Sequence, residues 1–475
     1  MWLRPVNFGT TLRWLTLLLV PLGMCAGWLA VRQPDRQAPR KLPLSLESLC
    51  YDEYDLTAMA LRGLNAELGR QPGADSPPRM VPYETFSKVI EAPRPLRERY
   101  FLEYPHAALM LFRAGYWIQS GWRDAPIPPG LPDAAYHNIA AHDPETDAQF
   151  VVWKIFVRAS AFYTGVMVAA WLALLFVIER LYPTGWRGGS FLLVLPAAVF
   201  FTLNRYDILP ALCTALSIAA LTRNRVGWAA VALGVGTLLK VYPVLFVPLI
   251  LRYLWPCRLQ AIRFAVSYLV TASLAFAPLL FGADLTAVVA PFKYQFSRPP
   301  EYGLTIYGCL LPMELAHGSL GSIFRLSALA AAWLLTVATP IRDLESLLRR
   351  AAFVLAVVVS LAVFYSPQWL LWFIPWIAPL VRRDGLLRWS AIGLDFVNYV
   401  TFPIWFWVMP VVGKSLGFVD QELDPLLIHA GNILRLARFL LLGVLSIRLI
   451  HNEWGIGWVM SPRLAQPTTA NSSRL

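Results

Sequence analysis

The sequence predicts an all-α polytopic membrane protein of about 12 transmembrane helices with a large first external loop. Composition, run length and the placement of arginine predict it. First, 57% of the 475 residues are hydrophobic and only 15% are charged, too little charge to cover a soluble protein of this size. Second, apolar stretches long enough to cross a bilayer recur along the chain. They are too long for barrel strands and lack a period of two, so the spans are helices. Third, arginines sit in short loops between the apolar runs, where positive-inside bias explains them. That placement also accounts for the net charge of +12 without nucleic acid, since no basic stripe with interleaved aromatics occurs on a soluble segment.

Residues 1–31 read as a cytoplasmic N-terminus and first transmembrane helix, Leu15 to Val31, preceded by Arg4 and Arg13. A signal peptide is the competing reading, but no clear cleavage site follows. Residues 32–156 form a large external loop rich in Pro, Arg, Asp and Glu. Its one apolar patch, "HAALMLFRAGYWIQSGW" from His106, is interrupted by Arg113 and reads as interfacial or re-entrant. Residues 157–449 form the multi-helix transmembrane domain. Its helices are expected near 157–181, 190–203, 206–222, 226–239, 241–255, 260–282, 318–340, 351–365, 368–381, 387–412 and 426–449. Residues 450–475 are a polar cytoplasmic tail.

Arginine placement sets the threading. Arg180, Arg187, Arg223, Arg225, Arg252, Arg258, Arg263, Arg342, Arg349, Arg350, Arg382, Arg383 and Arg388 fall in loops assigned inside. One outside loop is acidic, with Asp420, Glu422 and Asp424. The segment 32–156 and the loop 283–317 then share the external face. Of the five cysteines, Cys50 and Cys309 fall on that face. A bridge between them is open, with unpaired thiols the expectation. No CxxC pair or metal-ligand spacing occurs, so no metal and no cofactor is expected.

The external face gathers polar groups in an oily chain. "YDEYDLTAMA" holds Asp52, Glu53 and Asp55. By charge pattern alone these acids read as solvated surface. Lys240 lies at an external helix end, as an interfacial anchor or a functional cation. Arg298 and Glu301 lie in "YQFSRPPEYG", as a pair or a capped loop. "YSPQWLLWFIPW", from Tyr365, makes an external helix–helix turn. Within the helices, Asp395 is expected to pair with Arg435 or Arg438, because an unpaired charge at that depth is costly. A lipid-phosphate contact is the other reading of the two arginines.

At these residues the chain resembles the glycosyltransferase-C superfamily, and within it glycosyltransferase family 87, the polyprenol-phosphate-mannose-dependent α-1,2-mannosyltransferase-like membrane proteins. The resemblance runs from the first helix to about residue 380. "DLTAMALRGLNAELG" matches the family's early acid, small-residue helix and glycine. "FLEYPH", with Tyr104, matches an aromatic-proline element, His106 replacing a second proline. Asn204, Asp207, Gly234, Lys240 and Pro243 match an NxD…G…K..P pattern. Arg298 and Glu301 match an R…E loop, and Ser366, Pro367, Gln368, Trp369, Trp372 and Pro375 an SPQ(Y/W)LLW…P element. The segment near 116–150 is an addition to the family's pattern.

The resemblance implies an integral membrane glycosyltransferase that moves a sugar, expected to be mannose, from a polyprenyl-phosphate donor to an acceptor hydroxyl. The site would lie on the external or periplasmic face of the plasma (inner) membrane, among membrane lipids, and the acceptor would be a glycolipid or glycan. Asp55 is the expected base, with Asp52 and Glu53 in reserve. Lys240 and Arg298 would hold the donor phosphate. Glu301 would orient Arg298 or bind sugar hydroxyls. Tyr104, Trp369 and Trp372 would face sugar or prenyl chain, and Asp207 and Gln368 complete the substrate-binding set. A secondary transporter or a lipid/sugar flippase is the alternative, and a polytopic scaffold a further rival. No internal repeat of the transporter kind is visible.

Overall fold

The computed structural model describes residues 147–281, 319–362, 364–402 and 420–454, with isolated positions between Pro105 and Gly115 and at 285, 289 and 305. The first helix, the acids Asp52, Glu53 and Asp55, Tyr104, Arg298, Glu301, and Cys25, Cys50 and Cys309 lie outside the described residues.

Among the described residues the secondary structure is all helical. Helix α1, Asp147–Phe176, continues through a π-helical turn to Leu181. A 3-10 segment, Gly189–Val194, leads into α2, Pro196–Asn204. Helices α3, Ile208–Leu221, and α4, Val226–Leu239, form a hairpin. A 3-10 turn, Tyr242–Phe246, opens α5, Val247–Leu254, and α6 spans Arg258–Ala272. Then come α7, Ser319–Ala338; α8, Leu344–Leu361; α9, Leu370–Ile377; α10, Gly385–Tyr399; and α11, Asp420–Trp454.

Among the described residues, two helices, Ala161–Leu181 and Arg258–Ala277, are long and apolar enough to cross a membrane. Thr184–Val194 with Pro196–Asn204 is a third only if counted as one span bent by 72°. Its break has a local cause: Pro196 at the helix start cannot extend a preceding helix, because its ring excludes the helical conformation at Leu195. Helices α3 and α4 have 14 residues each, about 21 Å of rise and short of a bilayer core by themselves.

The core centres on α9. All eight of its residues are buried, and α2, α3 and α8 surround it. An element apolar on every side is stable only when enclosed in this way. The outer helices show the opposite pattern. Leu259, Leu269 and Val270 on α6, Leu326 and Leu334 on α7, and Ile433 and Ile447 on α11 are exposed by about two thirds or more. Such a continuous apolar exterior marks contact with something other than water.

Glycine sets two close approaches. A Cβ on Gly234 would lie 2.7 Å from Thr271 Cβ, so the glycine admits α6 against α4. A Cβ on Gly189 would lie 2.0 Å from the Ala378 carbonyl oxygen, backbone that cannot yield. Ala108 is buried in the main core, and Gly115 sits against the Tyr163 ring, so part of the His106 patch packs on α1.

The arginine loops meet at one end of the bundle. Arg383 pairs with Glu345 at 3.4 Å, Arg448 with Asp384 at 2.8 Å, and Arg382 donates to the Arg187 carbonyl at 3.2 Å. Arg350 donates to the carbonyls of Thr336, Thr339 and Pro340, closing the C-terminal end of α7.

Candidate functional site

The opposite end is organised by the α3–α4 hairpin. Its connection is tight because Asn224 takes the left-handed conformation (φ 56°) that asparagine tolerates. A tight hairpin returns the chain to its starting level. Asp207, just before α3, and Lys240, just after α4, therefore come together. Asp207 does not cap its own helix with its side chain. It accepts instead from Lys240 Nζ at 2.7 Å and from Trp372 Nε1 at 2.6 Å, both on Oδ1. Asp207 is fully buried, and the Lys240 side chain is 17% exposed. Oδ2 of Asp207 is buried with no hydrogen-bond partner among the described residues.

Aromatic rings enclose the pair. The Lys240 ammonium lies 5.0 Å from the Tyr206 ring centre and 5.3 Å from that of Trp372, distances at which the ring faces attract a cation. Trp372 stacks on Tyr242 at 4.1 Å and on Trp369 at 4.9 Å. Trp369 makes an edge contact with Tyr365 at 6.0 Å. The turn Pro367–Trp369 places these rings. Its proline starts a short 3-10 segment, from which α9 drives Trp372 inward. Gln368 is half-buried on the same turn.

Of the expected site residues, the structure brings together Asp207, Lys240, Trp369 and Trp372, with Gln368 alongside. Lys240 has one donor on Asp207 and two further N–H groups, so a carboxylate-anchored lysine still offers donors to an anion. Tyr206 and Tyr242 complete the enclosure and were not anticipated. Their signal was local, each lying one or two positions from a motif residue. Asn204 accepts from the neighbouring buried Arg205 through both its backbone and side-chain oxygens.

The expected pairing of Asp395 with Arg435 or Arg438 is corrected. Asp395 Oδ1 accepts from the Ala197 amide at 3.0 Å and Oδ2 from the Ala198 amide at 2.9 Å. Both oxygens thus satisfy the first amides of α2, where the helix dipole favours a negative group. Arg438 turns elsewhere, its guanidinium 3.8 Å from the Tyr365 ring centre. Similar depth on neighbouring helices was a sound reason to expect a pair, but the carboxylate faces α2.

In comparison with known proteins, the chain matches no family model, no curated protein and no solved structure.

Proposed function

We propose that the protein is a polyprenyl-phosphate-sugar-dependent glycosyltransferase of glycosyltransferase-C type, with about 12 transmembrane helices and its site on the external face of the plasma membrane. The observation that carries this reading is the Asp207–Lys240–Trp372 cluster. A lysine anchored by a carboxylate, flanked by stacked tryptophans and retaining N–H donors, suits a sugar phosphate. The apolar exterior supports a lipid-borne donor, since a prenyl chain reaches such a site through the bilayer.

In this reading Asp55 takes the proton of the acceptor hydroxyl as its oxygen attacks C1 of the sugar. The C1–O bond breaks, and its electron pair leaves with the prenyl phosphate. Lys240 and Arg298 stabilise the charge that develops there. Asp207 Oδ2 offers an acceptor to a sugar hydroxyl, and Glu301, Tyr104 and Gln368 complete the contacts. One displacement inverts the anomeric centre. The sugar is mannose in this proposal, and the acceptor a glycolipid or glycan.

Purified protein incubated with radiolabelled polyprenyl-phosphate mannose and a membrane extract should move label to an acceptor. Asp55→Asn should abolish that transfer without lowering membrane expression. Full activity in the variant would remove Asp55 from the mechanism.

One observation favours a second reading, a transporter or flippase. The 72° break before α2 and the carboxylate on that helix's N-terminus resemble the broken helices of transporters. Label crossing a proteoliposome membrane unchanged, with no acceptor modified, would select that reading.

A further inference from the structure

The span that begins with α6, Arg258–Ala277, is only 22% buried, against 50% for Ala161–Leu181. Its inner side is defined by the buried Ala261, Phe264, Tyr268 and Thr271, and on that side the Tyr268 and Thr237 hydroxyls of α6 and α4 lie 3.0 Å apart. On the outer side Leu259, Arg263, Val266 and Val270 are all exposed. Their spacings of four, three and four residues place them in one stripe. Arg263 is the charge in that stripe. It lies about 7.5 Å from the start of α6, among apolar neighbours where an unpaired charge is costly. Among the described residues it makes no hydrogen bond or ion pair. Its side chain lies across α4 instead: a Cβ on Gly227 would sit 3.4 Å from Arg263 Nε and 3.8 Å from Ser267 Oγ. Gly227 is the second residue of α4, so the guanidinium reaches back to the level of the α3–α4 turn.

The charge at this corner is one-sided. No acid occurs between Asp207 and Asp284, while Arg223, Arg225, Arg258 and Arg263 all fall there and are exposed. Asp343, which lies near Tyr253 of α5, is engaged in capping α8 through the Ser346 amide. Trp228, the residue after Gly227, is 69% exposed and has the amphipathic ring that settles at a membrane interface. A guanidinium with a hydroxyl beside it suits a phosphate oxygen. The exposed Val266 and Val270, on the same stripe as Arg263 and deeper along α6, suit hydrocarbon. We propose that this outer face of α4 and α6 binds an anionic phospholipid, its phosphate on Arg263 and Ser267 and its acyl chains along Val266 and Val270. The proposal goes beyond the transferase reading and does not depend on it.

The test follows thermal unfolding of the full-length protein in detergent while lipid is titrated. Phosphatidylglycerol should raise the unfolding temperature saturably, and diacylglycerol with the same chains should not. Arg263→Gln should raise the half-saturating concentration about tenfold, and Ser267→Ala about threefold. Both residues are at the surface of α6, so neither substitution opens the core. Arg258→Gln is the control. Arg258 is exposed on the same helix but about 140° around it from Arg263, and its loss should shift the half-saturating concentration less than about twofold. Equal shifts in the Arg258 and Arg263 variants would overturn the site, leaving only general attraction of anions to the basic end. The same saturable rise with inorganic phosphate would overturn the lipid as occupant. A face covered by another segment of this chain, or by a second copy, would show no phosphatidylglycerol response that Arg263→Gln alters, and that result would also overturn the proposal.

Discussion

Asp207 accepts two donors on one oxygen while fully buried, so its charge depends on its partners. Removing one partner of a buried pair costs more than the pair contributes, because the survivor stays charged without water. Lys240→Met should therefore destabilise the protein by about 3–5 kcal/mol. The Asp207→Asn/Lys240→Met double variant should recover much of that loss in a chemical unfolding series; additive losses would contradict the coupling. The double variant is thus the better control for donor binding, since the single substitution mixes lost contact with lost folding. Trp372→Phe keeps the stacking but removes the Nε1 donor, and should cost about 1.5–3 kcal/mol in the same measurement.

Among the elements, the α3–α4 hairpin was legible. Helices expected at 206–222 and 226–239 are found at Ile208–Leu221 and Val226–Leu239, because the polar "TRNR" interrupts two apolar runs. The region expected as one helix at 190–203 is instead a 3-10 segment and α2, divided before Pro196. The proline was visible, but an unbroken apolar run masked its effect. Helix α8 starts at Leu344 rather than 351, its first turn fixed by Asp343 accepting from the Ser346 amide at 2.7 Å. At the α4–α6 contact, Gly234→Ala should destabilise by about 1–3 kcal/mol through overpacking. Thr271→Gly, which removes the opposing Cβ, should restore most of the loss; no rescue would show that the glycine matters for another reason.

For the whole molecule, arginine loops gather at one end of the bundle and the Lys240 cluster lies toward the other, while which end faces outside is set by the membrane and is open to experiment. Cys257, exposed on the α5–α6 turn, gives a direct test of orientation. With Cys257 as the sole cysteine, a membrane-impermeant maleimide should label inverted vesicles and spare intact cells. The reverse would invert the proposed topology, and with it the assignment of the Lys240 cluster to the external face.

The sequence by itself determined the helical class and most helix positions, because helical hydrogen bonds are local and apolar run lengths are read directly from residue order. It also marked Asp207, Lys240, Trp369 and Trp372 as residues of interest. Only the tertiary structure decided who meets whom. Asp207 reaches Lys240 across 33 positions and Trp372 across 165, and Asp395 reaches Ala197 across 198. Such partners depend on how each helix is rotated about its axis, and that rotation is set by packing against several neighbours at once.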